Sequence, residues 1–158
     1  MLNPAEFYNF LNSININFFS GVPDSLLKSF CGYVADHSDP SSHVIAANEG
    51  GAIGIGIGYH LATGNIPMIY MQNSGLGNAI NPLISLADNE VYAIPMIILI
   101  GWRGEPNTKD EPQHIKQGKI MLPMIESMKM PYEILSGDIN GDKEIVKSLV
   151  KKAIDSQG

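Results

Sequence analysis

Glu49 is the residue in this chain whose type and place most suggest chemistry. It follows an apolar run at 43–47 and precedes Gly50 and Gly51, so its carboxylate falls where a strand hands over to a glycine-rich helix. In that position a carboxyl is partly desolvated and turned toward a crevice, where it can hold or move a proton. The same place also suits an ordinary acidic residue at the positive end of a helix dipole. The other reactive types form weaker patterns. His37, His43, His60 and His114 lack the spacing of metal ligands. Ser74 lies between Asn73 and Gly75 rather than in a G-x-S-x-G elbow, and reads more simply as a loop serine capping a helix. The glycines of 50–58 contain no G-x-G-x-x-G, and the strand that follows ends in Gln72-Asn73 rather than in a ribose-binding acid, which argues against a dinucleotide. A G-K-[ST] phosphate loop is also absent from the sequence, so nucleoside triphosphate chemistry lacks its lysine.

The elements that must position these residues follow from caps and periodicity. Asn3, Pro4 and Glu6 open a helix that carries Phe7, Phe10 and Leu11 on one face. A strand is expected at 15–19, then turn chemistry at Gly21, Val22, Pro23 and Asp24, then a helix with Leu26, Leu27, Phe30, Tyr33 and Val34. A second strand at 43–47 leads into a helix at 50–63, whose internal glycines imply close packing on a neighbour. A third strand at 67–71, a helix at 77–87 and a continuous apolar run at 95–100 follow, the last typical of a strand covered on both faces. A polar loop at 101–113 precedes a helix at 119–128, a short strand at 132–135 and a last helix with Val146, Leu149, Val150 and Ala153 inward. The alternation predicts an α/β fold, a parallel sheet with helices on both faces. Ligands of such sheets bind beyond the carboxyl ends of the strands, which singles out the loops 21–25, 48–51, 72–78 and 101–114.

The 158 residues suit one domain spanning 1–158. With 44% hydrophobic and 16% charged residues, the chain is too apolar for disorder. Ten Lys and Arg against sixteen Asp and Glu give a charge of −6 without a basic run, which argues against nucleic acid. The apolar stretches fall short of the roughly 20 residues of a membrane span, so no membrane partner is expected. Cys31 is the single cysteine and the first residues lack a signal-peptide pattern, so the expected location is cytoplasmic.

Four segments carry a resemblance: Gly21 to Ser25 as G-V-P-D-S; Asn48-Glu49-Gly50; Q-N-S-G-L-G-N-A-I-N-P-L beginning at Gln72; and G-W-R-G-E-P beginning at Gly101, with Asp110, Glu111, Pro112, Gln113 and His114. Taken in order, they resemble the pyrimidine-binding domain of thiamine diphosphate enzymes. The last two, with Tyr59, His60, Leu61, Ala62, Thr63 and Gly64, are similar to the subgroup of phosphonopyruvate and sulfopyruvate decarboxylases.

The resemblance implies that Glu49 hydrogen-bonds the aminopyrimidine of thiamine diphosphate and promotes the tautomer that activates the thiazolium for 2-oxo acid decarboxylation. It also implies that Gln72 and Asn73 approach the cofactor, that His114 donates a proton to intermediates, and that Ser25, Arg103 and Lys109 face a small anionic 2-oxo acid. Ser25 reads equally as a helix cap, His114 as a surface histidine, and Arg103 as half of a salt bridge to Glu105 or Asp110. No metal ligand is expected in this chain. The family grips the diphosphate through Mg²⁺ with a Gly-Asp-Gly motif in a second domain, whereas Gly137, Asp138, Ile139 and Asn140 here have isoleucine at the third place and read as a turn. A diphosphate-binding domain or subunit is therefore an expected partner, as is self-association, because the family builds its sites across dimers. Without that partner the chain is expected to be inactive. A noncatalytic α/β binding or assembly domain remains the competing reading.

Overall fold

Asn3 opens the first helix by accepting the Glu6 N–H at 3.1 Å, and Pro4 occupies the first turn, where no donor is needed. In the computed structural model, which describes residues 3–156, this is α1 (Pro4–Ser13), with Phe7, Phe10 and Leu11 buried. The chain continues through β1 (Phe19–Gly21), α2 (Lys28–His37), β2 (His43–Ile45), α3 (Glu49–Thr63), β3 (Met68–Gln72), α4 (Leu76–Pro82), β4 (Ile97–Gly101), α5 (Pro112–Ser127) and α6 (Ile139–Ser156).

The four strands among the described residues pair in parallel in the order β2-β1-β3-β4. Helices cover both faces, as the alternation predicts. On β3, Ile69 and Met71 join Ile53, Leu76 and Met121 on one side, while Met68 and Tyr70 join Phe7, Phe30 and Val146 on the other. Burial lowers the affinity of His43 for a proton and raises that of the Tyr70 hydroxyl, so the 2.7 Å contact between His43 Nε2 and the Tyr70 hydroxyl joins two neutral groups.

Several boundaries differ from expectation. Residues 15–18 are not strand, because Ile14 and Ile16 turn their N–H groups back onto the last carbonyls of α1 and Asn15 takes a φ of 63°. Helix α2 starts at Lys28, since the Asp24 carboxylate takes the N–H groups of Leu26 and Leu27; Leu26 is left exposed. Helix α5 starts at Pro112 rather than Lys119, which shortens the long loop. The π-type turn after α4, at Leu83–Ala87, follows Pro82, whose ring removes a helical donor. In α3, Gly50 and Gly56 meet neighbours closely, but Gly54 and Gly58 face open space, so the expected packing holds for only part of the helix.

The end of the chain departs furthest. Strand β4 is half-buried rather than fully covered, and 132–135 forms no ladder with it. Lys129 turns the chain at a φ of 56°, Pro131 offers no donor, and an apolar cleft of about 1190 Å³ lined by Ile98, Ile100, Met121, Tyr132 and Leu135 lies between. Asp138 caps α6 through the Gly141 N–H, so of the Gly137 to Asn140 segment, read from the sequence as a turn before the last helix, Ile139 and Asn140 already belong to that helix. Asp142, fully buried, accepts from the N–H groups of Ser136 and Gly137 and holds that turn.

Candidate functional site

Parallel pairing brings the carboxyl ends of the four strands to one edge, and with them the loops that hold the polar residues. The chain runs outward from β1 to β2 and then back across to β3, so β1 and β3 flank the point where the strand order reverses. At that point Gln72 Nε2 donates to Asp24 Oδ1 at 2.6 Å. Asp24 is buried, and its second oxygen occupies space that a side chain at residue 101 would fill; glycine at the end of β4 leaves room for it. Gln72 Oε1 accepts from Ser74 Oγ at 2.7 Å. Ser74 thus serves its neighbour in the loop.

Glu49 begins α3. Asn48 caps that helix, its side-chain oxygen accepting the Gly51 N–H at 2.8 Å, and this fixes where the Glu49 backbone sits. The Glu49 carboxylate is half-buried and accepts one side-chain hydrogen bond, from Asn78 Nδ2 to Oε2 at 3.0 Å. The rest of it lies over Gly75, where a Cβ would overlap Oε1 and Cγ. A second close approach fixes the helix itself: a side chain at residue 50 would meet the Asn78 carbonyl at 2.9 Å. Asn78 is four residues before Pro82, whose missing N–H leaves that carbonyl without its helical donor. Two glycines, two asparagines and one proline therefore set the position of one carboxylate.

The second centre is Asp110. Its Oδ2 accepts from Arg103 Nε and from the Gly104 N–H, both at 2.8 Å; its Oδ1 accepts from the Glu111 N–H at 2.8 Å, from Arg103 at 2.5 Å and from His114 at 2.9 Å. The guanidinium beside it, with these other donors, holds the Asp110 carboxyl well below the usual carboxylate range. Arg103 reaches Ser25 Oγ with its remaining nitrogen at 2.8 Å. Asn73, buried, pairs with the Arg103 backbone in both directions, donating to its carbonyl at 2.8 Å and accepting its N–H at 3.2 Å. Gly104, at φ 69°, packs against the His114 carbonyl, and Gly118 against the Gly104 carbonyl, so the loop lies flat on the first turns of α5.

The structure thus gathers Ser25, Asn73, Arg103 and His114 into one set of contacts about Asp110 and places Gln72 with Asp24 next to it along the chain, with Glu49 seated on Gly75. Ser25 does not cap α2 but accepts from Arg103. His114 lies in the first turn of α5 rather than in a loop. Lys109 is exposed on the loop and makes no ion pair among the described residues. Asp24 and Asn78 are residues that sequence reasoning did not single out, and Asp110 was named only as a salt-bridge partner of Arg103, which the structure shows it to be. Only Asp110 has a local signal, its spacing of four from His114 across a helix start. Chemically, the crevice offers a lightly held carboxyl for proton exchange, a cation and hydroxyl for an anion, and an imidazole. The seat over Gly75 leaves Glu49 held from one side, which fits a carboxyl that meets the nitrogen-rich ring of an aminopyrimidine. Among the described residues no group of side chains is arranged to hold a metal ion, and no helix is long and apolar enough to cross a membrane.

Comparisons with known proteins place the chain in a family. The family model of the thiamine pyrophosphate enzyme, N-terminal TPP binding domain, matches residues 5–123. Phosphonopyruvate decarboxylase of Streptomyces viridochromogenes is 33% identical over 136 residues, 85% of this chain but 33% of that protein. The chain thus spans about a third of the length of that relative. Sulfopyruvate decarboxylase subunit alpha of Methanococcus maripaludis is 34% identical over 132 residues, 83% of this chain and 76% of the subunit. Among solved structures, benzoylformate decarboxylase from Polynucleobacter necessarius superposes with a TM-score of 0.57 at 20% identity, over 75% of this chain and 23% of that one. A 4-hydroxybenzoylformate decarboxylase of Rhodococcus jostii RHA1 gives 0.54 at 25% identity, over 65% of this chain and 19% of that one.

Proposed function

This chain belongs to the thiamine pyrophosphate enzymes, as their N-terminal TPP binding domain, and from that membership we propose that it forms the pyrimidine-binding half of a 2-oxo acid decarboxylase. The observation that carries the proposal is the Glu49 carboxyl, set at the carboxyl edge of the sheet, bonded by Asn78 and seated over Gly75. Thiamine diphosphate, when bound, supplies the electron sink into which the bond to carbon dioxide breaks. Glu49 holds the proton shared with the aminopyrimidine ring, and Gln72 and Asn73 border the same place from the end of β3. Arg103 and Ser25 meet the anionic groups of the acid, with Lys109 as a second cation at the crevice mouth. His114 exchanges a proton with the reacting acid.

The diphosphate and its Mg²⁺ are held by a second domain or subunit, since this sequence has no Gly-Asp-Gly motif. Residues 1–158 act as one domain, cytoplasmic and part of an oligomer in which that second unit completes the site. The substrate is phosphonopyruvate, which would lose carbon dioxide to give phosphonoacetaldehyde, a step toward aminoethylphosphonate; the similarity to phosphonopyruvate decarboxylase supports it. Sulfopyruvate is the second reading, favoured by the mutual coverage with the alpha subunit of that decarboxylase. Both acids place a tetrahedral anion where a guanidinium can bind it.

The test is Glu49→Gln in the complex assembled with a diphosphate-binding subunit, thiamine diphosphate and Mg²⁺. Loss of a positioned acid or base costs about 10²- to 10⁴-fold in rate, whereas loss of a charge at a helix end costs only about 0.3–1 kcal/mol of stability. Activity should collapse while the melting temperature barely moves. Near-normal decarboxylation by the variant would return Glu49 to a helix-end role.

A further inference from the structure

We propose that Asp110 is a positioning residue that fixes His114 as its Nδ1–H tautomer, leaving Nε2 as the ring atom that meets the ligand. The argument starts from donors. Five converge on the two oxygens of Asp110: two nitrogens of Arg103, the N–H groups of Gly104 and Glu111, and the ring nitrogen Nδ1 of His114 at 2.9 Å. A carboxylate surrounded in this way is an acceptor only, so His114 Nδ1 must carry the hydrogen of their contact. In the neutral imidazole the lone pair then falls on Nε2.

The backbone makes the pairing obligatory. Asp110 and His114 stand four residues apart across the start of α5, Pro112 sets that start, and the Gly104 N–H pins the carboxylate from the far side. Arg103 is oriented by the same carboxylate, which leaves its third nitrogen on Ser25. One aspartate thus sets the directions of both the imidazole and the guanidinium. This inference rests on the proposed function for the use of Nε2, but the tautomer itself does not.

The experiment is ¹⁵N NMR of the full chain with labelled histidines, at a pH where the His114 ring is neutral. Nδ1 of His114 should show the shift of a protonated nitrogen and Nε2 that of a lone-pair nitrogen. In Asp110→Ala the pattern should move toward the Nε2–H form that imidazoles prefer in water, with the amide signals of α1 and α6 unchanged as a check of folding. If Asp110→Ala does not fold, the wild-type spectrum decides alone. An Nε2–H form in the wild type, or an unchanged tautomer in a folded Asp110→Ala, overturns the proposal. In the assembled enzyme, Asp110→Ala should lower kcat by a smaller factor in a His114→Ala background than in the wild type, the remaining loss coming through Arg103; fully additive losses would contradict positioning through His114. Inactivity of the wild-type complex with both acids, with the tautomer as expected, would count against the proposed function and leave this inference standing.

Discussion

Two carboxylates at one edge of the sheet are held on opposite terms. Asp110 is saturated: five donors surround it and its charge is locked by Arg103. Glu49 has one side-chain donor and otherwise rests over a glycine backbone. A carboxyl that serves as scaffold gains from every added donor, because each one favours the ionised form and narrows the geometry. One that must change its protonation state is better held by shape and a single bond. On geometry rather than residue type, the contrast gives Asp110 the part of scaffold and supports the proton exchange proposed for Glu49.

Gly75→Ala breaks the Glu49 side of this contrast most sharply. The new methyl overlaps the carboxyl end of a flexible side chain, which can swing away with little effect on folding. A displacement of about 1 Å in a reacting group can cost on the order of 10²-fold in rate, so activity of the assembled enzyme should fall by roughly that factor while the melting temperature stays close to wild type. Asn78→Ala removes the one hydrogen bond and leaves the seat intact; a loss of roughly tenfold in kcat is expected, since a bond to a charged group contributes about 1.5 kcal/mol. Equal losses in the two variants would mean that the seat and the bond are not separable.

Acid separates the regions next. The pKa of Asp110 is lowered in the folded chain, so its contribution to stability is fully present above the unfolded carboxylate range, near pH 4, and is lost as pH falls below it. His43 adds a second window: its folded value is lowered by burial, so stability declines as pH falls below about 6.5. A melting-temperature profile should therefore step down below pH 6.5 and again below pH 4. The lower step should vanish in Asp110→Asn and persist in Glu49→Gln. The smallest effect is expected at Lys109, exposed on the loop: Lys109→Ala should change stability by less than about 0.5 kcal/mol and act, if at all, through a raised KM.

The sequence revealed the frame better than the joints. Capping at Asn3 and the apolar alternation of β3 are local signals, and once the strands are read as parallel, the four loops must share an edge. Glu49 stood out because its carboxylate sits between an apolar strand and glycines. Asp24 and Asn78 did not, since their partners lie 48 and 29 residues away and exist only after folding. The 132–135 segment misled for the opposite reason: its residues suit a strand, but Lys129 and Pro131 steer the chain away from β4. The first turn of α5 was missed because 112–118 is polar, and with it went the helix register that joins Asp110 to His114.

The central claim, that this domain supplies the proton-exchanging half of a shared thiamine diphosphate site, is tested most directly by carbon dioxide release from phosphonopyruvate and sulfopyruvate. The assay compares the chain alone, a diphosphate-binding subunit alone, and the two combined with thiamine diphosphate and Mg²⁺. Release from one of the acids only in the combination is the predicted result. Release by the isolated chain, or none from a combination that binds the cofactor, would contradict it.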